Sequence, residues 1–276
     1  MIRIITDSGC DLPADVLAEH RVDVVPLTVR FGETDYLAGI DLSIDEFWQK
    51  LIGGDDTPQT AAPSVGRFTA AYGQLAADGA DGIVVICMSS AISATHRSAT
   101  LAAEAFETIP IRVIDSRLVS GALGLAVIEA AERALAGDDL DAVAATASDA
   151  CEAANLYATL DTLEYLRRGG RIGTAAAFVG GLLDVKPVIS FEVGEVTAAG
   201  RVRTRSRAVA DVLDHLRDLG DRVARLGVIH SEADDLADFV DGVTDIHGAP
   251  PLIIRIGPIV GTHAGPGALG VVYRLG

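Results

Sequence analysis

Residues 82–99 read GIVVICMSSAISATHRSA. The run from Ile83 to Cys87 has the continuous apolar character of a strand buried on both faces, as in a parallel sheet. It turns through Ser89, Ser90 and Ser93 and enters an Ala-rich segment that reads as a helix. Strand, hydroxyl turn and helix in that order mark an α/β sheet. They put the hydroxyls at the carboxyl end of a strand, the edge where such sheets bind ligands. A helix start carries unpaired N–H groups and the positive end of the helix dipole, so hydroxyls there make an anion site. Serines at that place also serve as ordinary N-caps.

The same pattern recurs on either side. Residues 2–5 read as an apolar strand followed by Thr6-Asp7-Ser8, and residues 111–114 as another closed by Asp115-Ser116. Helical spacing covers 118–136, with small residues at Ser120, Gly121 and Gly124, and again 139–153. Glycine weakens a helix, so its presence there predicts close packing of another element. Short β patterns at 22–25 and 27–31 flank Pro26, and Ser43 and Ser64 stand at expected helix starts. Between these caps, residues 53–63 form a polar, Gly/Pro-rich loop in which Thr60 reads, by itself, as a solvated residue.

Near Asn155 the character changes. Strands are expected over 156–160, 185–191, 195–198, 226–230 and 252–256, and helices over 206–219 and 232–243. A glycine-rich closing segment, 257–270, holds His263 between Gly261 and Gly265 and leads into a final strand. The expectation is an α/β protein of two domains. The first, over 1–155, has a mainly parallel sheet flanked by helices, and the second, over 156–276, is also α/β.

With 276 residues, 49% of them hydrophobic, the chain can bury a large core. A formal charge of −17 argues against general nucleic-acid binding and leaves at most transient contact with an anionic membrane. The three cysteines show no metal-type spacing, so neither a metal site nor a disulfide framework is expected. The N-terminus reads as strand and turn, and no apolar run is long enough to span a bilayer, which predicts a cytoplasmic protein.

Two sets of residues bear on chemistry. The hydroxyls Ser8, Thr60, Ser89, Ser90, Ser93 and Ser116 have no adjacent base and no nucleophile elbow, and such a set holds an anion rather than activating a nucleophile. Arg167, Arg168, Arg171, Arg201, Arg203, Arg205 and Arg207 oppose the overall charge, and the last four alternate, so that an extended segment would point them one way. The closing segment lacks both Gly-x-Gly-x-x-Gly and the P-loop pattern, so no nucleotide signature is present.

Together these pieces resemble the DegV family, the fatty-acid-binding proteins that serve bacterial fatty acid kinase. The resemblance runs nearly the full length. It rests on Thr6-Asp7-Ser8, on the segments 60–68, 89–95 and 113–116, on LEYLRRGGRIG at 163–173, on Lys186-Pro187-Val188-Ile189, and on the segments 201–208 and 257–270. It implies a two-domain protein holding a long-chain fatty acid in an apolar tunnel between the domains, with no catalytic residue and no cofactor of its own. By position it implies that Thr60 and Ser93, with Ser90 as neighbour, bind the carboxylate. It further implies that Arg171, Arg203 and His263 lie near the exposed head group, where a separate kinase forms the acyl phosphate that feeds phospholipid synthesis. Two departures stand out: Thr60-Ala61-Ala62-Pro63 replaces the family's Thr-Ser-Gln-Pro, and Ala94 replaces the Gly after the last Ser. Two other readings stay open beside it. One is an enzyme acting on a phosphorylated small molecule at the same anion site, with Asp7, Asp115 or His263 supplying a base or metal. The other is a ligand-free module that docks through its arginines.

Overall fold

A computed structural model describes residues 1–54, 56–178 and 185–276. In chain order, the first part comprises β1 (Ile2–Asp7), α1 (Ala14–Glu19), β2 (Val22–Val25), β3 (Thr28–Phe31), β4 (Thr34–Leu37), α2 (Ile44–Gly53), β5 (Gln59–Ala61), α3 (Val65–Ala77), β6 (Gly82–Cys87), α4 (Thr95–Glu104), β7 (Ile111–Asp115), α5 (Ser120–Leu135) and α6 (Leu140–Ala153). The remainder comprises β8 (Ala154–Thr159), α7 (Glu164–Arg168), a 3₁₀ segment Gly173–Phe178, β9 (Lys186–Glu192), β10 (Glu195–Val202), α8 (Arg205–Leu219), β11 (Val223–His230), α9 (Leu236–His247), β12 (Leu252–Arg255), α10 (Pro258–Ala264) and β13 (Leu269–Leu275).

Among the described residues the strands form three sheets. The first, in the order β2-β1-β6-β7, is parallel throughout. Its central strand β6 is buried along its whole length, as its unbroken apolar run predicts. Ile83, Val85 and Cys87 pack with Phe68, Tyr72 and Ala99 of α3 and α4, while Val84 and Ile86 face α5 and α6. The second sheet, β10-β9-β8-β13-β11-β12, is antiparallel except for the β11–β12 pair. One of its faces packs Val228, Val271 and Tyr273 against Val212 and Leu216 of α8 and Phe239 of α9.

Helix α5 lies between these two sheets. A Cβ on Gly121 would come within 2.6 Å of Ile254 and 2.9 Å of Val272, and one on Gly124 within 2.7 Å of Leu12. The small residues in this helix therefore admit both neighbours, at a cost in helix propensity that the burial offsets.

The third sheet, β4-β3-β5, corrects the reading of Thr60 as a loop residue. Thr60 pairs with Val29 on a three-residue strand that depends on its tertiary partner for its existence. A second correction concerns the alternating arginines. The chain leaves β10 at Val202 and starts α8 at Arg205, with Thr204 capping, so the four do not share a face. Arg205 is tied into the fold by a bidentate pair with Asp235, at 2.9 and 2.8 Å. The closing segment also contains helix rather than loop alone. Pro258 opens α10 at its first position, and Gly265, with φ +71°, ends it.

Candidate functional site

A cavity lies where the first half of the chain meets the face of the second sheet opposite α8 and α9, beside the part that α5 covers. The centre of a water-sized sphere can reach about 190 Å³ of it. Its floor follows from strand periodicity. Leu156, Ala158 and Leu160 recur at every second position and line it, joined by Ile189 and Phe191 of β9, Val196 of β10 and Ile229 of β11. Leu27, Met88 and Val119 close it from the first half, and Ile256, Ile259 and Val260 from the segment that begins α10.

Polar side chains on this wall are few, and four of them were expected from sequence: Thr60, Ser93, Arg171 and His263. Thr60 Oγ1 lies 3.0 Å from His263 Nε2. The other ring nitrogen, Nδ1, is buried with no hydrogen-bond partner among the described residues. It faces Gly169, where any Cβ would fall on the imidazole. Burial, and then the nearby Arg171 charge, hold His263 at about 4, so it is neutral near pH 7. An orphaned Nδ1 costs less as a lone pair than as an N–H, which favours the proton on Nε2. His263 then donates to Thr60, and the Thr60 hydroxyl proton is left free for a ligand.

Ser93 Oγ lies 2.8 Å from Thr95 Oγ1 and accepts a weaker bond from the Thr95 N–H. It does not cap α4 in the usual way. The residue at that helix's cap position is Ala94, which supplies no side-chain bond, so first-turn N–H groups of α4 remain available next to Ser93. Arg171 donates from Nε to the Ile92 carbonyl (3.2 Å) and from Nη1 to the Gly169 carbonyl (2.6 Å). Its Nη2 has no partner among the described residues. Ile92 and Arg171 also line a shallow polar depression with Gly170 and Glu195, so the guanidinium stands between the apolar cavity and the surface.

Among the described residues no carboxylate lines the cavity. In a chain of charge −17 this is a local inversion: one cation, two hydroxyls and a helix start at the end of an apolar pocket. Such an arrangement holds a small anion attached to an apolar chain.

Two expected residues lie elsewhere. Ser90 is exposed and outside the cavity lining, and its hydroxyl and N–H both donate to Asp115. Arg203 is exposed and also outside it. The strand-end pairs organise loops instead of lining the cavity. Ser8 Oγ accepts from the Leu27 N–H, and Ser116 Oγ from the Leu118 N–H. Sequence reasoning missed Ser120, which lines the cavity and whose hydroxyl donates to Asp11 (2.7 Å). Its only local signal was a small polar residue at a helix start.

Asp7 is fully buried and accepts from the Gly9 N–H (2.8 Å) and the Met88 N–H (2.7 Å), tying the end of β1 to a cavity residue. Burial outweighs these bonds and raises its carboxyl to about 6. The folded value exceeds the unfolded one, so the folded state holds the proton more tightly. Ionised Asp7 therefore costs stability above about pH 6, and that cost fades as the pH falls towards 4. Relative to Asp7→Asn, the wild-type protein is expected to gain about 2 kcal/mol between about pH 7.5 and 4.5 in urea titrations. A difference independent of pH contradicts this.

Comparison with known proteins bears on the family and the fold. A family model described as "Uncharacterised protein, DegV family" matches residues 1–275. A DegV domain-containing protein of Streptomyces coelicolor is 36% identical over 280 residues, covering 98% of this chain and 97% of the relative. Among solved structures, one described as showing fatty acid binding of a DegV family protein from Thermus thermophilus superposes with a TM-score of 0.88 at 32% identity, covering 99% of each chain. A stearic-acid-binding protein from Eubacterium ventriosum superposes at 0.90 with 28% identity, covering 99% of this chain and 98% of that one.

Proposed function

The chain belongs to the DegV family, and from that premise we propose that it binds a long-chain fatty acid in the cavity, with the carboxylate at Thr60, Ser93 and Arg171. The observation that carries this reading is the composition of the cavity wall: mostly apolar, with one cation and the Thr60 and Ser93 hydroxyls grouped beside His263 and, among the described residues, no carboxylate. Each buried CH₂ contributes roughly 0.8 kcal/mol, so a run of ten supplies about 8 kcal/mol. Immobilising the ligand takes back several kcal/mol of that. The chain thus supplies affinity and the polar end supplies orientation.

The same proposal extends to the use of the ligand. Arg171 stands at the boundary between cavity and surface, and the resemblance gives Arg203 and His263 head-group roles. Both support presentation of the carboxylate to a separate fatty acid kinase, with the acyl phosphate feeding phospholipid synthesis. In this reading the protein is a cytoplasmic carrier and not itself an enzyme. Ser90 acts on the binding turn through Asp115 and not on the ligand. We place the boundary between the domains at 155/156, within the first residues of β8.

Lipid extraction tests the binding step. Purified protein, denatured and extracted, is expected to release a long-chain fatty acid on mass spectrometry, or to take one up stoichiometrically if delipidated. Protein that carries none and takes up none contradicts the reading.

A further inference from the structure

Ser89 is a fully buried hydroxyl that lies outside the cavity. Its Oγ donates to the carbonyl of Gly194 (2.7 Å), at the tip of the β9–β10 hairpin. The same oxygen accepts from the Ala91 N–H, and its backbone carbonyl accepts from the N–H groups of Ile92 and Ser93. One residue thus shapes the turn that presents Ser93 and fastens that turn to the other half of the chain. Ile92, in the same turn, holds Arg171 through its carbonyl. The hairpin in turn supplies Phe191 and Val196 to the cavity wall.

The fit at the tip is close. A Cβ on Gly194, which has φ +86°, would lie 2.5 Å from Ser89 Oγ and 3.5 Å from the Ala91 Cβ. The preceding residue, Val193, is β-branched at φ +52° and 84% exposed. That is an unfavourable backbone state for valine, and it persists only where neighbouring contacts hold it.

Resting on the fatty-acid reading, we infer that Ser89 is a positioning residue for the head-group site. It couples the hairpin tip to the turn that carries Ser93 and holds Arg171, so that carboxylate geometry depends on a bond made outside the cavity. Losing it leaves the apolar wall in place but loosens the polar end.

The test compares palmitate with hexadecanol, which share the chain and differ in the head group. Wild-type protein must first bind palmitate; if it does not, the fatty-acid reading fails and not this one. Ser89→Ala is expected to weaken palmitate about tenfold, the equivalent of one lost hydrogen bond, with hexadecanol affinity changed less than about twofold. Gly194→Ala attacks the contact from the hairpin side and should give the same head-group-selective loss. In the Ser89→Ala background it should cost less than alone, because the oxygen it collides with is gone. Equal loss for both ligands, no loss in either single variant, or additive losses in the double variant would overturn the inference.

Discussion

Arg171→Ala is expected to weaken palmitate binding about 100- to 1,000-fold while leaving hexadecanol within a fewfold of wild type. Among the described residues Arg171 is the one Lys or Arg on the cavity wall, in a chain of charge −17. A carboxylate brought to this pocket loses water, and without a cation only the Thr60 and Ser93 hydroxyls and the start of α4 remain to replace that solvation. Leaving a fully buried charge unpaired costs about 3–5 kcal/mol, and the remaining hydroxyls and the half-buried position of Arg171 put the effect at the lower part of that range. Arg171→Lys should recover only part of it. The arginine spends Nε on Ile92 and Nη1 on Gly169 and still has Nη2 to offer, whereas an ammonium has no planar fork with which to do all three. Calorimetric titration with both ligands reads the result directly. A loss below tenfold, or an equal loss for the alcohol, means the guanidinium does not meet the head group.

Ala158→Phe is expected to reduce affinity for long-chain acids by about 100-fold or more, through the apolar end alone. Ala158 lies on β8 between Leu156 and Leu160, is 1% exposed, and pairs across the sheet with Gly270. An aromatic ring there has the cavity as its available space. Excluding about four methylenes removes roughly 3 kcal/mol of chain burial. Because the polar end is untouched, the loss should be the same for acid and alcohol, the opposite of the Arg171 result. Shorter acyl chains should lose less. Overpacking can also destabilise a core, so the thermal midpoint is measured alongside. Undiminished affinity in a folded variant would show that the acyl chain does not run past β8.

How far the chain could be read in advance differs between fold and site. The parallel first sheet was legible because β6 is uniformly apolar and each strand is followed by a helix with its own punctuation, such as the capping box at Ser43 and Glu46. The antiparallel second sheet was not, since an alternation of strands and helices does not say which strands become neighbours. Thr60 was misread because β5 is a strand only by virtue of pairing with β3. The alternating arginines misled because a period of two has meaning only in extended chain, and the helix begins at the third of them. At the site, residues 60, 93, 171 and 263 meet across the whole length of the chain, and no local spacing announces such a meeting. The resemblance to a family named all four. Adjacency also suggested Ser90, but a turn points successive side chains different ways, and this one reaches Asp115.

The central claim is that one fatty acid lies in this cavity with its carboxylate at Thr60, Ser93 and Arg171. A crystal structure of the protein saturated with palmitate tests it most directly. The account predicts one elongated density along β8 and β9, its forked end within hydrogen-bonding distance of the Thr60 and Ser93 hydroxyls and of Arg171 Nη2. Density with its polar end at Ser120, or a cavity left empty under saturating ligand, would contradict it.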